Sequence, residues 1–126
     1  MPGQGRNYHV LAIVDDDASM RSALQALLGS AGLHARGFAS AGEFLASGQV
    51  SETTLLITDV NMPTMTGIEL QAHLLAEGFR MPIIFITAYS SPRIRAQVMQ
   101  AGAVDMLVKP FTDQEFLTAI HAALGV

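Results

Sequence analysis

The sequence predicts an α/β fold, a five-stranded doubly wound parallel sheet with helices on both faces. Three observations predict it. Short apolar runs alternate strictly with helix-period segments, five of each; such alternation implies parallel strands joined by right-handed crossovers. The runs are apolar almost throughout rather than at every second residue, as in strands covered on both sides. The chain of 126 residues is half apolar, enough to bury a core without covalent staples.

His9–Val14 opens as a β-branched apolar run and reads as a buried strand. Met20, Leu24, Leu27, Leu28 and Ala31 then recur on one helical face, with Gly32 suited to the helix end. His34–Phe38 is a weaker strand. Ser40 and Glu43 have the spacing of a capping box before Phe44 and Leu45. Thr53–Thr58 is the third strand. Gly67–Gly78 reads as a helix with Ile68, Ala72 and Leu75 on one side. Pro82–Thr87 is the fourth strand. Pro92 suits a first helical turn, and Ile94, Val98 and Met99 form an apolar face up to Gly102. Asp105–Val108 is the last strand. Thr112 and Glu115 form a second capping-box pattern, opening a helix with Phe116, Leu117, Ile120 and Leu124 inward. The expected strand order is 2-1-3-4-5, as in flavodoxin-like sheets.

The composition excludes several classes of function. There is no cysteine, so disulfide frameworks, zinc-thiolate sites and thiol catalysis are absent. Seven basic residues stand against eleven acidic ones, net −4, which gives no electrostatic footprint for direct nucleic-acid binding. The first apolar run stops at three aspartates, short of a signal peptide's roughly 7–15 apolar residues. No run approaches the ~20 residues of a spanning helix. The expectation is a soluble, cytoplasmic protein without membrane contact. The four histidines fall on different elements without metal-ligand spacing, and Gly3-Gln4-Gly5 lacks the preceding strand of a dinucleotide loop.

In open α/β sheets ligands bind beyond the carboxyl ends of the strands. The first strand is followed by Asp15, Asp16 and Asp17, and the third by Asp59 and Asn61. The fourth ends at Thr87, and the fifth is followed by Lys109, the only lysine. Four of the six aspartates thus fall in two loops that the strand order makes neighbours. Clustered carboxylates repel by roughly 4 kcal/mol per close pair at an effective dielectric of 20, and a divalent cation relieves this. Hard oxygen ligands beside a phosphate site suit Mg²⁺. Read singly, Asp15–Asp17 are helix caps and Asp59 begins a turn; the lone lysine and the strand-end threonine favour the joint reading.

At these residues the sequence resembles the receiver domains of bacterial two-component response regulators. The matching pieces are Ile13-Val14-Asp15-Asp16, Thr58-Asp59-Val60-Asn61-Met62-Pro63 with Gly67, Ile86-Thr87-Ala88, and Val108-Lys109-Pro110-Phe111. Ala101-Gly102-Ala103-Val104-Asp105 is most similar to the FixJ-type branch. The resemblance runs from about His9 to Leu124 and implies a phosphorylatable signalling switch rather than an enzyme. Asp59 would accept a phosphoryl group from a histidine kinase or phosphotransfer protein. Asp16, Asp15 (through water), Asp59 and the Asn61 carbonyl would hold Mg²⁺. Lys109 and Thr87 would bind phosphoryl oxygens. A cis Lys109–Pro110 bond is also implied.

The expected output is a repacking of the fourth helix, last strand and fifth helix, around Ile94, Gln97 and Met106, that dimerises the domain or releases a partner. One receiver domain is expected over 1–126, with a flexible start at 1–8 and no output domain in these residues. A DNA-binding output half beyond them is compatible with this reading. The family usually carries an aromatic residue at the position of Met106; a thioether is flexible, so an aromatic two-position switch is not expected. Tyr89 and Asn61 flank the acceptor. Met62 and Met65 lie in a loop beside it, read either as core filler or as a soft surface for a kinase.

Three other readings are weaker. An aspartyl-phosphate phosphatase wants a second Asp two residues after the nucleophile, where this chain has Asn61. A pseudo-receiver would not keep Asp15, Asp16, Asp59, Thr87 and Lys109 together. A flavin site would not have an acidic first loop.

Overall fold

The computed structural model describes residues 9–89 and 91–126; the expected flexible start at 1–8 lies outside them. Among the described residues five strands, β1 (Val10–Val14), β2 (His34–Phe38), β3 (Leu55–Asp59), β4 (Ile83–Thr87) and β5 (Asp105–Val108), alternate with five α-helices, α1 (Ala18–Ser30), α2 (Ala41–Ala46), α3 (Gly67–Ala76), α4 (Pro92–Gln100) and α5 (Asp113–Leu124). The strands pair in parallel in the order β2-β1-β3-β4-β5, as the sequence predicts.

Strand side chains alternate between two cores, as the period of two requires. Leu11, Ile13, Leu55, Ile57, Ile84 and Ile86 pack against Leu24 and Leu28 of α1 and Phe116 and Ile120 of α5. Ala12, Val14, Leu56 and Phe85 face the other way, against Phe44 of α2, Leu70 and Leu74 of α3 and Val98 of α4. β3 and β4 are buried at every residue, which explains their continuous apolar runs.

The helix starts carry their own signals. Asp17 caps α1, accepting the N–H groups of Ser19 and Met20. Thr112 and Glu115 form the expected reciprocal box at α5. Thr66 and Glu69 form another at α3, a pattern visible in the sequence but not drawn from it. At α2 only half the expected box forms: Ser40 accepts the Glu43 N–H, while the Glu43 carboxylate takes the N–H of Ala39.

Two expectations are corrected. The third strand begins at Leu55 rather than Thr53, because a 3₁₀ turn at Val50–Glu52 and the Thr53 hydroxyl, donating to the Gln49 carbonyl, hold the preceding residues in a turn. In α3 the inward face is Leu70, Gln71 and Leu74, not Ile68, Ala72 and Leu75; Ala72 and Leu75 are exposed and Ile68 is half-buried. Both sets have helical spacing, and docking on Phe85 and α4 selects between them. Gln71 goes inward because its Nε2 donates to the Val98 carbonyl of α4 (3.1 Å).

Candidate functional site

The strand registers place the candidate residues at one level. Val14 lies opposite Thr58, Asp59 opposite Ile86, and Thr87 opposite Val108. The loops after β1, β3, β4 and β5 therefore open on the same edge of the sheet.

Asp15 directly follows β1. Its N–H donates to the Phe38 carbonyl at the end of β2 (3.1 Å) and its Oδ1 accepts the Asp17 N–H (2.9 Å). It is 1% exposed, and its Oδ2 has no hydrogen-bond partner among the described residues. Asp16 is exposed. One carboxylate oxygen from each of Asp15, Asp16 and Asp59 lies within 4.8 Å of the others. Asp17, the helix cap, is not in this group. Burial pushes the Asp15 carboxyl above its ordinary range; the Asp59 and Asp16 charges add to the rise, against the Asp17 N–H and the Lys109 charge.

Asp59 ends β3 and is buried. Its Oδ1 accepts the Asn61 N–H (3.1 Å), and the Lys109 Nζ stands 3.6 Å from its Oδ2. Lys109 is carried there from β5, its N–H donating to the Thr87 carbonyl (2.8 Å). The Lys109–Pro110 bond is cis, the isomer the resemblance implied. Gly67, the first residue of α3, donates its N–H to the Val60 carbonyl (2.8 Å). A Cβ at this position would overlap the Asp59 carbonyl oxygen, so only glycine lets the helix start rest on the Asp59 backbone.

Thr87 is buried at the end of β4. Its hydroxyl donates to the Tyr89 carbonyl (3.2 Å) and accepts the Tyr89 N–H (3.1 Å). The sequence reading did not anticipate this contact. Tyr89 itself is 73% exposed. A groove of about 250 Å³ between Asn61, Thr87, Tyr89 and Ile94 opens beside the acidic cluster. Met62 is buried in the core, which favours the filler reading for it; Met65 is half-buried. Met106 is also buried, and its carbonyl accepts a hydrogen bond from Arg95 of α4 (3.1 Å).

The sequence reading assigned nothing to Arg21. Its Nη1 donates to the Asp15 carbonyl at 2.7 Å, the peptide that joins the first two aspartates of the cluster. No motif marks such a contact, because it depends on where α1 packs over β2.

Comparison with known proteins agrees with this geometry. The family model for the response regulator receiver domain matches residues 11–121. The transcriptional regulatory protein TdiR of Thauera aromatica is 39% identical over 120 residues, covering 95% of this chain and 53% of that protein. The chain thus spans about half the length of that curated relative. Two solved structures are similar throughout: FixJ-N, with a TM-score of 0.83 and 32% identity over 94% of each chain, and the response regulator StyR, with a TM-score of 0.86 and 40% identity over 94% of this chain and 60% of that one. Among the described residues no helix is long and apolar enough to cross a membrane. With four strand-end loops converging on three aspartates and a lysine, and a family match over nearly all of its length, the chain belongs to the response-regulator receiver domains of two-component signalling.

Proposed function

We propose that the domain is switched by phosphorylation of Asp59, with a histidine kinase or phosphotransfer protein as donor. The supporting observation is the cluster itself: three carboxylates gathered within 4.8 Å, a lysine ammonium beside one of them, and a buried Asp15 oxygen without a partner among the described residues. The donor set fits Mg²⁺, which prefers hard oxygen ligands and retains several waters. Asp15, Asp16, Asp59 and the main-chain carbonyl of Asn61 would hold it. When bound it supplies charge neutralisation for the phosphoryl oxygens.

The chain's own residues do the rest by positioning. The Asn61 N–H and Lys109 orient the Asp59 carboxylate. A carboxylate oxygen attacks phosphorus, the P–N bond of the phosphohistidine breaks, and an acyl phosphate forms. Lys109 stays beside the product and offsets its added charge. The Thr87 hydroxyl, now turned to Tyr89, exchanges that partner for a phosphoryl oxygen. The exchange pulls the start of the β4–α4 loop inward and repacks α4, β5 and α5 around Ile94, Gln97 and Met106. The end point is a homodimer or the release of a partner.

TdiR is by its name a transcriptional regulator, and about half of its length lies outside the match. A DNA-binding output domain is therefore the partner we assign to this single receiver unit, in the cytoplasm. The test is mass spectrometry after incubation with Mg²⁺ and acetyl phosphate. The wild type should gain one phosphoryl group and Asp59→Asn should not, while keeping the wild-type circular dichroism. Equal gain in both proteins would remove Asp59 as acceptor.

A further inference from the structure

We propose that Arg21 is a positioning residue for the metal site, acting through the Asp15–Asp16 peptide, and that Gly37 is glycine to make room for it. The inference rests on the Mg²⁺ reading above. Arg21 sits one turn into α1, its N–H donating to the Asp17 carbonyl (2.9 Å). From there the side chain turns back, and Nη1 reaches the Asp15 carbonyl at 2.7 Å, a short, charge-assisted hydrogen bond. Asp15 is then held at its N–H by Phe38, at its Oδ1 by the Asp17 N–H, and at its carbonyl by Arg21. The last contact sets the plane of the peptide from which Asp16 departs. Asp16 is exposed and its carboxylate has no hydrogen bond among the described residues to direct it, so the orientation of this peptide sets the direction in which its side chain leaves the backbone.

Gly37 supplies the second observation. It lies in the interior of β2, opposite Ile13, where glycine weakens a strand. Its φ is not positive, so conformation does not call for glycine. Space does: a Cβ there would stand 3.1 Å from both Cγ and Cδ of Arg21 and 3.0 Å from Gln25 Oε1. Gln25, one turn after Arg21, donates to the Ala35 carbonyl of the same strand (3.1 Å). The stem of Arg21 thus lies directly on the β2 backbone, and the glycine permits the path that brings its guanidinium to Asp15.

A fixed positive charge beside a cation site works against cation binding. Charge and geometry therefore predict opposite signs, which makes the inference testable. Mg²⁺ binding is measured by isothermal titration calorimetry on wild type, Arg21→Met, Arg21→Lys and Gly37→Ala, each checked for native circular dichroism. Arg21→Met keeps the stem, and positioning predicts about tenfold weaker Mg²⁺ binding, in the range seen when a group orienting a metal ligand is lost. Arg21→Lys, which restores one donor, should recover part of the affinity. Gly37→Ala keeps the charge and displaces the stem, and should weaken binding in the same direction. Binding in Arg21→Met equal to or tighter than wild type overturns the proposal. If Arg21→Met does not fold, unchanged affinity in Gly37→Ala overturns it. A wild type that does not bind Mg²⁺ at all defeats the metal reading instead, so the two failures are distinguishable.

Discussion

Replacing Asp15 by asparagine should stabilise the metal-free domain and abolish most of the stabilisation that Mg²⁺ confers. Asp15 is 1% exposed and its Oδ2 is unpartnered among the described residues. An unsatisfied buried polar group costs roughly 1–3 kcal/mol. Two unit charges at the 4.8 Å limit of this cluster repel by about 3 kcal/mol at an effective dielectric of 20, and Lys109 offsets part of that. Asparagine keeps an oxygen for the Asp17 N–H, removes one charge and offers an N–H₂ to the neighbouring carboxylates. A gain on the order of 1–3 kcal/mol is expected in chelator at neutral pH.

The pH dependence follows from the raised carboxyl. Between the ordinary value of 3.8 and its own higher one, folded Asp15 holds a proton that the unfolded chain has lost. Its contribution is complete below 3.8 and is lost as pH rises through the folded value. The advantage of Asp15→Asn should therefore be small near pH 4 and open towards neutrality. Urea unfolding followed by far-ultraviolet circular dichroism, at both pH values, with chelator and with millimolar Mg²⁺, measures all of this. A variant no more stable than wild type in chelator at neutral pH, or one that keeps the full Mg²⁺ response, would refute the reasoning.

Gly67→Ala should cost about 1–3 kcal/mol or more, since the added methyl meets backbone that cannot swing aside. Gly29→Ala, with nothing near its added carbon, should raise stability by up to about 1 kcal/mol; thermal melts of the pair should move in opposite directions. Thr87→Ala should still take phosphate from acetyl phosphate but lose the change in sedimentation that beryllofluoride produces in the wild type. A retained change would remove the threonine from the signalling path.

The alternation of apolar runs with helical segments was enough to determine the fold class, because parallel crossovers have one hand and a buried strand has a recognisable composition; the strand order came by analogy with flavodoxin-like sheets and is the one observed. The placement of the candidate site residues was also legible. Asp15, Asp59, Thr87 and Lys109 stand at or just beyond strand ends, and strand ends in such a sheet face a common edge. What α3 buries was not legible: Ile68, Ala72 and Leu75 are as helical in spacing as Leu70 and Leu74, and only packing against β4 and α4 distinguishes them. The 3₁₀ turn before β3 was hidden because Thr53 and Thr54 suit a strand equally well. The Thr87 hydroxyl turned to the Tyr89 backbone is a local turn contact, two residues apart, that a Thr at a strand end allows. Two features depended on more than local sequence: the Asp15 Oδ2, without a partner among the described residues, and Arg21 reaching the Asp15 carbonyl across Gly37. Sequence periodicity reports which side of an element is apolar. Which polar atoms meet across two elements depends on their relative placement, and that is decided only when the helices dock on the sheet.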